Sequence, residues 1–207
     1  MSSARASKSS IVYDGLRHNI LTYKIQPDEI LNEGHIADQF GVSKTPVREA
    51  LGLMAREGLV VPIARLGYRV TPITLHNVDQ LFGLRIVIET GNAEILAGKV
   101  RPGQISKLKQ LAISQDETLD DDDGYVSVVE ANRAFHLRIA EFTANQKLAD
   151  HLGMVLDEMG RVLCFGASRR DILPETREEH ERLTDAIGSG VPDRGRTAMR
   201  DHIMYSK

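Results

Sequence analysis

The chain is poor in cysteine, aromatics and long apolar runs. Its 207 residues hold one cysteine, Cys164, which excludes an internal disulfide framework and a multi-thiolate zinc site. Tryptophan is absent and aromatics make up 5%. No apolar run approaches the roughly 20 residues that span a membrane, and the opening "MSSARASKSS" lacks the apolar core of a secretion signal. These absences point to a cytoplasmic protein without a membrane partner. What is present is a 42% apolar content dominated by Leu, Ile, Val and Ala, which suits packed helices.

Net charge is -3, but it is unevenly spread. Residues 1–74 carry 9 Lys/Arg against 7 Asp/Glu, and residues 75–207 carry 17 against 22. The change of sign hints at two domains with different partners.

Residues 1–10 read as a disordered tail. Ile11, Leu16, Ile20 and Tyr23 share a helical face. Asn32 is placed to cap a short helix that stops at Gly41, and Ser43 to cap a third helix with Pro46 in its first turn. "LVVPI" and "GYRVTPI" read as two strands around "ARLG". Three helices and a small hairpin within residues 11–74 make a winged helix-turn-helix pattern. Residues 75–207 carry no strand signal and read as an all-helical bundle of six, at about 75–99, 104–118, 123–144, 146–168, 174–188 and 193–205.

The stretch "FGVSKTPVREAL" gathers hydroxyls and cations at a helix mouth. In a helix-turn-helix the second helix enters the major groove, first residues foremost. Lys44 or Arg48 can then donate to guanine, while Ser43, Thr45 and the free N–H groups hold phosphates. Gly67, between Arg65 and Arg69, suits a wing that approaches DNA. On composition alone an ordinary solvated helix start remains equally open.

Seven histidines need sorting. Asn132 and His136 are four apart and share a helix face. His180 and His202 are equidistant from residue 191, within "GSGVPD", so a helical hairpin there brings them level. Three imidazoles and one oxygen suit a divalent transition metal (Zn²⁺, Ni²⁺, Mn²⁺ or Fe²⁺) with positions left open. The competing reading is ordinary hydrogen bonding by each histidine. Arg85, Glu89 and Asn92 share one face of an otherwise apolar helix, either as a solvated stripe or with Arg85 turned inward toward an anion. Cys164 and the methionines read as core, and "DDDDG" at 120–124 reads as a solvated loop with one Asp capping the next helix.

The segment "LNEGHIADQFGVSKTPVREALGLMAREGLVVPIARLGYRV" resembles the DNA-binding domain of the GntR family of bacterial transcriptional regulators. That resemblance implies a homodimer on a palindromic double-stranded operator, with Lys44, Thr45 and Arg48 among the contacts. The chain departs from the pattern at several points: Lys44 for a usual arginine, Gly34 for a polar contact residue, Asp28 for a glycine, and Gly52 within a helix. Residues 75–207, through "LFGLRIVIE", "NRAFH" and one histidine in each of the last two helices, resemble the FCD effector domain, in its shorter VanR-like branch. The resemblance implies metal ligands at Asn132, His136, His180 and His202, with Asn132 standing where aspartate is usual. It also implies an effector site lined by Arg85, hence a small carboxylate effector and, by family precedent, a repressor. Two other readings stay open. One is a metalloenzyme with a DNA-binding appendage, although no HExxH or nucleophile motif is present. The other is a regulator whose metal is purely structural.

Overall fold

A computed structural model describes residues 7–113, 122–166 and 173–206. The chain divides into two compact units between Ile73 and Thr74. Thr74 opens the second unit, where its hydroxyl caps the following helix by accepting from Asn77 N at 3.1 Å.

In the first unit, α1 (Lys8–Leu21) buries Val12, Leu16, Ile20 and Leu21. Ser7 caps it, accepting from Ser10 N at 3.0 Å. Residues 8–10, expected in a tail, are therefore helical; residues 1–6 lie outside the described residues. The inward face also differs from expectation. Val12 is buried while Ile11 is half exposed, and Tyr23 lies beyond the helix at φ 59°. Strand β1 (Ile30–Leu31) leads to α2 (Glu33–Phe40), whose cap Asn32 accepts from Gly34 N at 2.8 Å and His35 N at 3.3 Å. Gly41 ends α2 in the left-handed region at φ 63°. Helix α3 (Lys44–Arg56) buries Val47, Ala50, Leu51 and Met54 at i, i+3, i+4, i+7 spacing. Ser43 occupies its cap position but its hydroxyl makes no capping bond. Pro46, in the first turn, removes an N–H that has no intrahelical partner in any case.

Strands β2 (Val60–Ile63) and β3 (Gly67–Val70) pair antiparallel from Val60↔Val70 to Ile63↔Gly67. The wing has a third strand, since β1 pairs with β3 through Ile30↔Arg69 and Leu31↔Tyr68. Two residues are too short to leave a period-two signal in the sequence. Asp28 stands at φ 68°, which accounts for its taking the place of a glycine: Asp tolerates the left-handed region better than most residues. Leu16, Leu31, Ile36, Leu51, Met54 and Val70 form the core of this unit.

The second unit holds α4 (Leu75–Ala97), α5 (Pro102–Ile113), α6 (Asp122–Phe142), α7 (Gln146–Gly166), α8 (Leu173–Gly188) and α9 (Pro192–Tyr205). All six sit within a few residues of the expected spans. The far end of the helix expected over 104–118 and the Asp cap in "DDDDG" lie outside the residues and side chains described. Phe82, Leu96, Leu108, Phe135, Ile139, Met159, Leu183 and Met199 fill the core. Cys164 is half-buried rather than part of that core. Gly195 lets α9 approach α4 closely, for a Cβ there would stand 2.9 Å from Ala93 O and 3.0 Å from Ala97 Cβ. Between α8 and α9 the chain reverses through Gly190 at φ 73°, and Pro192 opens α9.

Candidate functional site

The α8–α9 hairpin does bring His180 and His202 together, with ring centroids 4.9 Å apart. His136 joins them from α6, at 5.2 Å from His180 and 5.1 Å from His202. One candidate ligand atom from each of the three lies within 4.8 Å of the others. The rings are 1%, 0% and 4% exposed for His136, His180 and His202, so water scarcely reaches them. Phe135 stacks on His180 at 3.9 Å and holds its plane.

The hydrogen bonding of this cluster is incomplete. His180 has no partner at either ring nitrogen, nor has His202 at Nδ1. A buried polar atom left unpaired costs about 1–3 kcal/mol, and at His180 neither ring nitrogen is satisfied, which leaves room in the hydrogen bonding for a further group. His136 Nε2 and His202 Nε2 are 3.2 Å apart. Two nitrogens bound to one zinc-sized ion stand roughly 3.3 Å apart, from metal–nitrogen distances of about 2.0–2.1 Å and tetrahedral angles. The His136–His202 spacing therefore matches that of a bound divalent transition metal, and His180 completes a three-nitrogen donor set within 4.8 Å.

Electrostatics keeps the imidazoles available. Burial, reinforced by the neighbouring His136, His202 and Arg85, holds the His180 pKa well below the ordinary value. Burial first, and then His136 and Arg85 against the opposing pull of Glu89, brings His202 down to about 3. Both rings are neutral at physiological pH, as metal ligation requires.

Helix α4 supplies the other wall. Arg85, Glu89 and Asn92 all turn inward, at 2%, 1% and 0% exposure, which removes the reading of a solvated stripe. Arg85 Nε donates to Glu89 Oε1 at 2.6 Å. Glu89 Oε2 approaches His136 Nδ1 at 2.5 Å, close but off the line of an ideal hydrogen bond. Burial raises the Glu89 pKa, but the charges of Arg85 and His136 outweigh it and hold it at about 2, so the group stays ionised. The Asn92 amide has no partner at either atom. Sequence reasoning put Glu89 on the face of Arg85 but missed its contact with His136, which depends on how α4 meets α6. Asn132 lies half-buried one turn before His136 on the unbroken α6. His35, His76 and His151 are exposed and His18 is half-buried, all outside the cluster.

In the first unit Ser43, Lys44, Thr45 and Arg48 are exposed over the opening turns of α3. A groove of about 420 Å³ runs between that helix mouth and the wing, lined among others by Asn32, Lys44, Arg48, Arg65 and Gly67. Arg48 Nε meets Glu33 Oε2 at 2.7 Å, with the arginine 65% exposed. A pair so open to water contributes roughly 0–1 kcal/mol and leaves the guanidinium free to exchange partners. Gly67 has an internal reason for its identity. It stands at φ 114°, and a Cβ there would meet Leu31 O at 2.4 Å, so it admits β1 beside β3.

Residues 8–70 match the family of bacterial regulatory proteins named gntR, and residues 80–204 match the FCD domain. The chain belongs to the GntR family and carries an FCD domain. It is a transcriptional regulator whose first unit is the DNA-binding domain. It is 26% identical over 195 residues to the HTH-type transcriptional regulator YdhC of Bacillus subtilis, covering 93% of this chain and 84% of that one. It is 22% identical over 205 residues to the HTH-type transcriptional repressor GlaR of Escherichia coli, covering 93% and 90%. The solved structure of E. coli McbR/YncC shares the fold at TM-score 0.79 and 18% identity, over 98% of this chain and 96% of that one. Among the described residues no helix is long and apolar enough to cross a membrane.

Proposed function

We propose that this GntR-family regulator is a cytoplasmic homodimeric repressor controlled by a small carboxylate whose binding depends on a metal in the FCD domain. The observation that carries the reading is the set of three buried imidazoles converging from α6, α8 and α9, with both ring nitrogens of His180 unpaired. His136, His180 and His202 would hold the metal, with the Asn132 amide oxygen as the fourth ligand. An amide oxygen is neutral, so it gives a hard cation less than a carboxylate would, and softer Zn²⁺ or Ni²⁺ is favoured over Mn²⁺. Bound there, the metal supplies a positive centre for an anion. Arg85 supplies a second cation in the same dry environment, where a charge-assisted bond to a carboxylate is strong. The carboxylate class follows from these two positive groups. The repressor assignment rests on relatives such as GlaR.

On DNA, Lys44, Thr45 and Arg48 would meet base edges and phosphates. Ser43, Arg65 and the backbone at Gly67 would hold the sugar-phosphate chain of a palindromic half-site. Lys44 offers a point charge where arginine would offer a fork, so its guanine contact discriminates less sharply. Effector and DNA need only prefer different arrangements of the dimer for each to weaken the other.

The test is metal content per chain, by plasma mass spectrometry, on tag-free protein purified without chelator, beside His136→Ala. Near one equivalent in the parent and little in the variant is expected. The metal-loaded parent should then release operator DNA when small carboxylates are screened, whereas Lys44→Ala and Arg48→Ala should weaken operator binding and flatten its salt dependence. Parent protein that takes up no Zn²⁺, Ni²⁺ or Mn²⁺ refutes the metal reading.

A further inference from the structure

The metal ligands account for three histidines, but not for the buried ion pair behind them. Arg85 and Glu89 lie one helical turn apart on α4, both almost fully buried. A buried ion pair is weak evidence of stability, because the loss of hydration offsets most of the attraction. Its placement is specific, however. The two oxygens of the Glu89 carboxylate are divided, Oε1 taking the Arg85 Nε–H and Oε2 facing His136 Nδ1. The opposite nitrogen of the same ring, Nε2, is the one that faces His202 at 3.2 Å. Glu89 thus sits on the far side of the ring from the point where the imidazoles converge. His180 and His202 have no such partner behind them at Nδ1.

We propose that Glu89 is the positioning residue of the metal centre. It holds the proton of His136 on Nδ1 and so turns the Nε2 lone pair toward the ion, while Arg85 holds Glu89. This inference rests on the metal reading above. A carboxylate behind a ligating imidazole fixes its tautomer and makes it a stronger donor. It also brings a negative charge close to the point where the three imidazoles meet. Arg85 gains a double role from this geometry. Nε is committed to Glu89, and the remaining guanidinium N–H groups are those an effector anion would take. An anion that draws Arg85 away from Glu89 alters the hold on His136, so effector and metal affinities are linked through one chain of contacts, Arg85–Glu89–His136.

The experiment uses the full chain, chelated and then titrated with Zn²⁺ against a chromogenic chelator, for the parent and Glu89→Gln. Glutamine keeps the shape and removes the charge. Because it leaves Arg85 buried without its counter-charge, the paired variant Arg85→Met/Glu89→Gln, neutral at both positions, is measured beside it. The expected result is a Kd for Zn²⁺ raised roughly 10–100-fold in the variants. A second readout is the nitrogen-15 imidazole spectrum of the metal-free chain. It should show the His136 proton on Nδ1 in the parent and a shift of that proton toward Nε2 in the variants. A role confined to stability would leave the tautomer where it is. If the parent binds Zn²⁺ and a folded variant binds within about threefold of it, with the Nδ1 proton kept, the inference about Glu89 is overturned and the metal reading stands. If the parent itself binds none, the metal reading falls and takes the inference with it.

Discussion

Acid should weaken the metal-free FCD domain, and the histidine cluster sets by how much. His202 protonates near pH 6.5 when unfolded but only at about pH 3 when folded, because the folded chain buries it beside other potential cations. Between those values the unfolded state binds the extra proton. Stability therefore falls as pH falls, by up to about 1.4 kcal/mol per pH unit for each such group. From pH 7.5 to pH 5 that amounts to about 2 kcal/mol for His202 alone, and His180 acts in the same direction. Glu89 enters later. Its pKa is held at about 2 against an ordinary 4.5, so its contribution is intact above pH 4.5 and is lost below it. The assay is thermal unfolding of the chelated full chain, followed by circular dichroism at 222 nm at pH 7.5 and pH 5. A loss of 2 kcal/mol should lower Tm by roughly 5–10 °C in a domain of this size. His202→Gln should remove most of the His202 share, since glutamine does not titrate. A midpoint that stays level between the two pH values would refute the reasoning. So would an equal fall in His202→Gln, which would place the acid sensitivity elsewhere.

Two substitutions test the close approaches of the fold. Gly195→Ala puts a methyl 2.9 Å from Ala93 O and should push α9 away from α4. The expected cost is about 1–3 kcal/mol in urea unfolding, with weaker Zn²⁺ binding because His202 rides on α9; unchanged stability would mean that the two helices do not meet as described. Gly67→Ala combines a φ of 114° with a Cβ 2.4 Å from Leu31 O. It should cost about 1–3 kcal/mol and lower operator affinity by loosening the wing, and wild-type operator binding with wild-type stability would rule out the β1–β3 approach as the reason for this glycine.

Much of the architecture was legible in the sequence because it is local. Helix spans follow from a 3.6-residue apolar period, and their ends from Asn32, Gly41, Thr74 and Pro192, whose side chains or backbone act within one turn. The His180–His202 pair was legible for a related reason: a tight hairpin maps positions equidistant from its turn onto one level. The exceptions were short or depended on distant partners. Strand β1 has two residues and exists only because β3 offers it an edge. The inward face of α1 was misjudged by one residue, because Ile11 and Val12 are equally apolar and only the helices packed against them choose between the two.

The sequence by itself determined the family, the two-domain order, the start of α3 with its cluster of hydroxyls and cations, and which three histidines come together. Each is carried by residue type and spacing along one or two elements. Only the tertiary structure decided that Arg85 Nε is committed to Glu89, that Glu89 faces His136, and that His180 and His202 are buried deeply enough to stay neutral. The physical reason is that charge state and hydrogen-bond partner depend on exclusion of water and on contacts between α4, α6, α8 and α9. Those helices lie up to more than a hundred residues apart along the chain, and no periodicity within any one of them records which neighbour its polar groups will meet.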